Sequence, residues 1–414
     1  MNSESVKILH TSDWHLGKQL NGYPRHAEQV EVMQEICSIA EIESVDAVII
    51  SGDIFDTANP PIESTELLYS TLKKLSNNGK RAVIAIAGNH DSPSFLNAPK
   101  ELLKFLNIHV VSYATARPED EVIVLAGADG NPGLMVCAIP YLRDRDIRTS
   151  EAGESIEDKE RKIVDGIKEH YRQVCDAALK KRETLERPVP MVAMGHLFAA
   201  GGQTMEGDGT RELYIGSLAQ VKRDVFPDYI DYVALGHLHV PQRVGGSDFI
   251  RYSGSPLPMG FGEASQEKNV ILVEFSKKSP NVSNIAVPRF QELKTLRGDW
   301  TSLSRQIDEL KKQRSRAWLE VIYEGDEVAA NLRERLTEAM VETGLEILPV
   351  RNNRIIERAL SRNKAEETLD DLDVTDVFVR CLDAHAIPDD QRPGLLDTYR
   401  EVLTALNEAD PLAH

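Results

Sequence analysis

Through roughly the first 275 residues the chain repeats one grammar: a short apolar, β-branched run ends in Gly or Ser, and polar residues with metal-ligating side chains follow at once. Residues 6–9 lead into HTSDWHLG, 46–50 (DAVII) into SGDIFD, 82–87 (AVIAIA) into GNHD, 191–194 (MVAM) into GHLF and 232–235 (YVAL) into GHLH. Short apolar runs bounded by Gly read as strands buried on both faces. Between them lie segments with helical stripes. Residues 26–44 carry Val30, Met33, Ile36 and Ala40, residues 62–77 carry Leu67, Leu68, Leu72 and Leu75, and residues 154–186 carry Ile163, Ile167, Tyr171, Val174 and Ala178. Strands alternating with helices predict an α/β sandwich, with function in the loops at the carboxyl ends of the strands. Two further strands, 249–252 and 269–275, flank SGSPLPMGFGE, whose Gly and Pro content predicts a structured loop.

From Ser279-Pro280 the grammar changes. A strand over 290–296, a helix over 301–313, a strand over 318–323 (WLEVIY), a helix over 326–343 and a strand over 345–350 form a small α+β unit without ligand motifs. The polar stretch 360–371 reads as a linker, followed by amphipathic helices over 375–384 and 393–408. The expected division is therefore 1–278, 279–358 and 359–414.

A chain of 414 residues with 41% apolar and 28% charged residues has the composition of a soluble globular protein and exceeds one small core. No run approaches the ~18 apolar residues that span a bilayer, and the N-terminus has no basic region followed by an apolar stretch, so no secretory signal is expected. Cys37, Cys137, Cys175 and Cys381 stand far apart without a C-x-x-C pair, as expected of reduced thiols in a cytoplasmic protein. With 48 Lys+Arg against 66 Asp+Glu, the net charge of −18 excludes a chain that coats nucleic acid by charge alone. Binding to a polyanion would need cations, a local basic patch or a partner.

The strand-end residues supply the chemistry. Asp13 and His15 form D-x-H and His237 and His239 form H-x-H; on an extended backbone each pair points one way. Asp53 follows Ser-Gly, Asn89 offers a neutral oxygen beside His90, and His196 follows a strand and a Gly. Each motif alone is weak. Together they supply a bridging carboxylate with imidazole and oxygen donors, the set needed by two divalent ions about 3.5–4 Å apart. The mixture suits Mn, Fe or Zn better than Mg or Ca. His10, His26, His109, His170, His385 and His414 lie outside this pattern and read as structural or solvated.

The series D-x-H, GDIFD, GNHD, GHLF and GHLH resembles the calcineurin-like metallophosphoesterases. HTSDWHLGKQL, ISGDIFDTANPP, AGNHDSP, DYVALGHLHVPQ and RYSGSPLPMGFGE resemble, within them, the SbcD family of nuclease subunits, strongly over about residues 5–275 and by layout beyond. The resemblance implies a metallophosphoesterase β-sandwich flanked by helices, a small α+β cap domain that contacts DNA and a helical C-terminal tail. It implies an exonuclease and endonuclease with two Mn2+ ions, acting as a homodimer with an SbcC-like coiled-coil ATPase in a heterotetramer for DNA repair and recombination. Carried over by position, Asp13, His15 and His239 would hold one ion, Asn89, His196 and His237 the other, and Asp53 would bridge them. His90 would protonate the leaving oxygen or steady the transition state. Asp56, three residues after the bridge, would orient His90, the alternative being a turn cap before Thr57. Phosphoprotein phosphatases of this superfamily follow GDxxD with Arg-Gly; Thr57-Ala58 here counts against that activity.

Three segments bear on substrate and partner. The stretch 199–216, with five glycines, is a loop over the substrate or a plain connection. Lys294, Arg297, Arg305, Lys311, Lys312, Arg314 and Arg316 make the best basic patch of an acidic chain, or one solvated helix face. The terminal helices have apolar stripes suited to a partner's groove or to the chain's own cap. A phosphodiesterase acting on a small molecule and a non-catalytic scaffold are the competing readings.

Overall fold

The computed structural model describes residues 5–127, 129–147, 156–199, 223–276, 279–325 and 332–352, with isolated positions between 378 and 399. The linker 360–371, nearly all of the glycine-rich segment 199–216 and most of the two expected terminal helices lie outside the described residues. The chain divides into two compact units, Met1–Glu292 and Leu293–His414. No helix among the described residues is long and apolar enough to cross a membrane.

In chain order the first unit runs β1 (Val6–Thr11), a short hairpin β2–β3 (Gln19–Leu20, Tyr23–Pro24), α1 (His26–Ile42), β4 (Ala47–Ser51), α2 (Ile62–Leu75), β5 (Ala82–Ile86), α3 (Pro93–Asn97), α4 (Lys100–Lys104) and β6 (Ile108–Val111). It continues through β7 (Val122–Ala126), β8 (Pro132–Ala138), α5 (Asp144–Ile147), α6 (Ile156–Glu183), β9 (Met191–His196), β10 (Tyr232–Gly236), β11 (Gln242–Arg243), β12 (Ile250–Tyr252), β13 (Lys268–Phe275) and β14 (Asn281–Val287). Two six-stranded sheets result, in the orders β14-β13-β1-β4-β5-β6 and β11-β12-β10-β9-β8-β7.

The apolar runs are continuous because each strand is covered on both sides. In β4, Ala47 and Ile49 face a core shared with Val192, Met194, Tyr232 and Ala234 of the other sheet. Val48 and Ile50 alternate to the opposite face, where Val32, Met33 and Ile36 of α1 and Leu68 and Leu72 of α2 cover them. In β9, Val192 and Met194 face the shared core, whereas Met191 and Ala193 pack with Ile167, Tyr171, Val174 and Ala178 of α6. The period of two thus sorts one run between two cores, and four layers follow: helices, sheet, sheet, helix. This is the helix-flanked α/β sandwich expected from the sequence.

β1, β4 and β5 are parallel neighbours, as are β9 and β10. Their carboxyl ends open on one edge of the sandwich, where the ligand-bearing loops emerge. β6, β7 and β8 complete the sheets without carrying ligand motifs, and their short or Pro-containing runs give no sequence expectation. β14 pairs antiparallel with β13 along its length, so the first sheet extends beyond residue 278. This edge strand buries little besides Val287, which is why NVSNIAV carries no strand pattern.

The second unit contains β15 (Leu293–Gly298), α7 (Trp300–Lys312), β16 (Trp318–Tyr323), α8 (Leu332–Ala339) and β17 (Glu346–Asn352), with a three-stranded parallel sheet. Asp299 caps α7 by accepting the Ser302 amide at 2.9 Å, the usual way of satisfying an orphan N–H in the first turn. Leu303, Ile307 and Leu310 of α7 pack with Leu319 and Val321 of β16 and Leu336 of α8.

Candidate metal centre

The D-x-H geometry is not the extended one expected. Asp13 and His15 both lie at positive φ, 54° and 45°, as do Asp53 at 49° and His237 at 103°. This region is costly for residues with a Cβ, and such backbone persists only where surroundings over-determine it. Here the loop after β1 is laced to the loop after β4. The amides of Asp13, His15 and Leu16 donate to the carbonyls of Gly52, Asp53 and Ile54 at 3.0, 3.0 and 2.9 Å. Left-handed turns, rather than a pleat, aim the ligands.

All seven side chains converge. His15 Nε2 lies 3.1 Å from His239 Nε2 and 3.6 Å from Asp53 Oδ2. His196 Nε2 lies 3.3 Å from the same Asp53 oxygen and 3.0 Å from Asn89 Oδ1, which also faces His237 Nδ1 at 3.1 Å. Asp13, His15 and His239 form one group with metal-ligand spacing, and Asp53, His196 and His237 another. Asp13 accepts the His237 amide at 2.9 Å and the Ser12 hydroxyl at 2.5 Å.

The donor set fits a cation. His15 Nδ1 lies 3.2 Å from Asp56 Oδ1 and His239 Nδ1 lies 3.3 Å from Glu263 Oε1. A carboxylate only accepts, so its proximity favours the tautomer with the hydrogen on each Nδ1 and a lone pair on each Nε2. In that tautomer the two Nε2 atoms, 3.1 Å apart, oppose lone pairs that a cation between or beside them would satisfy. His196 repeats the logic: its Nδ1 donates to the Ser51 carbonyl at 2.9 Å, leaving Nε2 toward Asp53 and Asn89. Burial pulls the His196 imidazole down, but the Asp53 and Asp13 carboxylates and the Ser51 carbonyl outweigh it and leave it at about 9. Burial pushes the Asp13 carboxyl up and takes His237 down to about 3. Burial also lowers His15, so of these imidazoles only His196 is favoured in its charged form, and His15 and His237 are held as neutral donors with lone pairs.

Comparison with known proteins agrees with this chemistry. Residues 6–241 match the calcineurin-like phosphoesterase family, and residues 289–386 match the family described as the type 5 capsule protein repressor C-terminal domain. The chain is 35% identical to the SbcD subunit of nuclease SbcCD from Escherichia coli (strain K12) over 404 residues, 97% of this chain and 98% of that one. It is 36% identical to the corresponding SbcCD subunit of Bacillus subtilis (strain 168) over 271 residues, 65% of this chain and 66% of that one. The chain belongs to the SbcD family.

In this SbcD-family chain the surroundings of His90 and Asp56 differ from the sequence expectation. The Asp56 carboxylate stands in one group with His15 and His90. It lies against His15 Nδ1 and accepts from Lys18 Nζ at 3.0 Å, and these two partners hold its carboxyl well below the usual range against the opposing effect of burial. His90 Nδ1 instead donates to the Asp56 main-chain carbonyl at 2.8 Å. The chain turn after GDIFD brings that carbonyl toward the GNHD loop. His90 stands edge-on to His15 with ring centroids 4.9 Å apart, and its amide donates to Asp53 Oδ1 at 2.9 Å.

Two further carboxylates support the site, Asp91 within the GNHD motif and Glu263 outside the ligand motifs. Asp91, the last residue of GNHD, accepts the amides of Gly88, Ile54 and Phe55 at 2.8, 3.2 and 2.9 Å. It ties the Asp53 loop to the Asn89 loop; burial and the nearby Asp53 raise its carboxyl to about 6. Glu263, which closes SGSPLPMGFGE, is fully buried. The motif membership of Asp91 is a usable signal; the role of Glu263 depends on tertiary contact.

Gly88 shows how tightly the site is built. A Cβ there would sit 2.1 Å from Asp53 Oδ1 and 2.3 Å from the Asp53 amide nitrogen. Gly88→Ala therefore displaces Asp53, and displacement by about 1 Å costs on the order of 100-fold in rate. Phosphodiesterase assays of this variant, with circular dichroism as a control on folding, check the expectation; wild-type turnover would contradict it.

Proposed function

We propose that this chain hydrolyses DNA phosphodiester bonds at a two-ion centre and that Asp13, His15 and His239 hold one ion, Asn89, His196 and His237 the other, with Asp53 between them. The single observation that carries this reading is the convergence of lone pairs at 3.0–3.6 Å among those side chains. Manganese suits the imidazole and oxygen donors. Bound divalent ions supply charge neutralisation at the phosphate and an activated water nucleophile.

The chain's own groups do the rest. His90 is held by its Nδ1–H bond to the Asp56 carbonyl, which leaves Nε2 to carry a proton to the leaving oxygen. Asp56 and Glu263 fix the rings of His15 and His239. Asp91 fixes the spacing between the Asp53 and Asn89 loops.

The assignment to DNA rests on the nuclease names of the relatives and on the local basic patch. Lys294, Arg297, Arg305, Lys311, Lys312, Arg314 and Arg316 would give a cap unit over 279–358 a contact with the phosphate backbone that the net charge of −18 denies the whole chain. An SbcC-like coiled-coil ATPase would be the partner of the 359–414 tail, and two copies of each a heterotetramer acting as exonuclease and endonuclease in the cytoplasm.

Manganese-dependent release of nucleotides from linear duplex DNA, compared with turnover of bis-p-nitrophenyl phosphate, tests the reading. Release from DNA is expected. Turnover of the small ester alone would favour a phosphodiesterase for small molecules.

A further inference from the structure

Within the proposed centre, the groups behind the metal-facing imidazoles are not equivalent on the two sides. His15 and His239 each point Nδ1 at a carboxylate, Asp56 at 3.2 Å and Glu263 at 3.3 Å. Both carboxylates are anchored. Lys18 holds Asp56 at 3.0 Å. Glu263 is fully buried. It accepts the Met259 amide at 3.0 Å and pairs with Lys268 Nζ, which also donates to the His239 carbonyl at 3.0 Å. The same ion position includes the Asp13 carboxylate. On the other side His196 gives its Nδ1–H to a neutral carbonyl, that of Ser51, and the oxygen donor, Asn89, is a neutral amide.

A carboxylate that accepts the remote N–H of an imidazole raises the basicity of the metal-facing nitrogen and fixes the ring. Apart from the shared Asp53, the first position thus combines one direct carboxylate with two at one remove. The second has two imidazoles and an amide. Lys18 and Lys268 offset the charge of the two remote carboxylates, so the direct Asp13 carboxylate and the alignment of the rings are what favour the first.

We infer that the two ion positions are unequal: the position of Asp13, His15 and His239 takes up a divalent cation first and holds it more tightly, with Glu263 and Asp56 as its positioning residues. This rests on the two-ion reading above. It makes Glu263 a determinant of metal affinity, although it touches no reacting atom. Under limiting metal the chain would hold one ion and lack the second, so that activity follows occupancy of the Asn89 side.

Titration of the metal-free full chain with manganese tests this, read by calorimetry and by electron paramagnetic resonance of the bound ion. Two steps separated by about tenfold or more are expected. A signal from isolated ions should appear at one equivalent and a spin-coupled pair at two. Anomalous scattering at one equivalent should place the ion beside Asp13, His15 and His239. Glu263→Gln keeps the side-chain shape and should weaken the tighter step by about 10–100-fold, drawing the two steps together. Asp56→Asn should act in the same direction through the other ring and keeps the test open if the Glu263 variant fails to fold. Equal affinities in the wild type, first occupancy beside Asn89, His196 and His237, or unchanged binding in both variants would overturn the inference. Failure of the two-ion reading itself would look different: no manganese bound, or never more than one ion.

Discussion

His90→Ala lowers phosphodiester cleavage by about 10²–10⁴-fold, the span of a lost general acid, and leaves bound manganese close to the wild-type amount. The expectation follows from where the ring is tied. His90 Nδ1 bonds to the Asp56 carbonyl, whereas the convergent contacts around Asp53 and Asn89 come from His15, His196 and His237. The ring is also half-buried rather than enclosed, leaving room for a substrate oxygen. Paired measurements of turnover and of metal content by mass spectrometry check it. Parallel loss of metal and activity would make His90 a ligand instead. Since its anchor is a main-chain carbonyl, Asp56→Asn should spare the orientation of His90 and act through His15.

Asp53→Asn produces the second large effect. The Asp53 oxygen Oδ2 faces both His15 and His196, while Oδ1 accepts the His90 amide. The substitution keeps shape and tolerates the positive φ of 49°, but removes the charge that both ion positions share. Loss of an ion pair that supplies several kcal/mol of transition-state stabilisation corresponds to a fall of about 10³-fold or more in turnover. Manganese binding and cleavage, measured together, should fall together in this variant, in contrast to His90→Ala. Retention of both ions would remove Asp53 from the bridging role.

The strands that carry ligands are legible in the sequence because the same residues serve two cores. Ala47–Ser51 and Met191–His196 must be apolar on both faces, and each ends where a Gly allows a close approach. The helices are legible where one face is buried, as in α1 and α6. β14 is hidden because an edge strand with one solvated face needs few apolar residues. The identities of the converging residues are also readable, since each follows a strand. Their aim is not. A pleat predicts that Asp13 and His15 point the same way, yet both reach the centre through left-handed backbone held by the neighbouring loop. The family resemblance implies a carboxylate partner for His90, and sequence alone cannot tell a carbonyl from a carboxylate of the same residue. Glu263 and Lys268 acquire their role only when the loop from residue 253 to 263 folds against His239.

The acidic side chains of the centre and the basic side chains of the patch are segregated along the chain. Asp13, Asp53, Asp56, Asp91 and Glu263 gather negative charge at one edge of the sandwich, and that charge is what would concentrate divalent cations there. The basic residues lie in and around β15, α7 and the turn after it. The acidic cluster and the basic residues are therefore carried by different parts of the sequence.

The most direct measurement is diffraction recorded on both sides of the manganese absorption edge from crystals grown with manganese. The two-ion account predicts two anomalous peaks about 3.5–4 Å apart, one beside Asp13, His15 and His239, the other beside Asn89, His196 and His237, with Asp53 reaching both. A single peak at saturating manganese, or none, would contradict it.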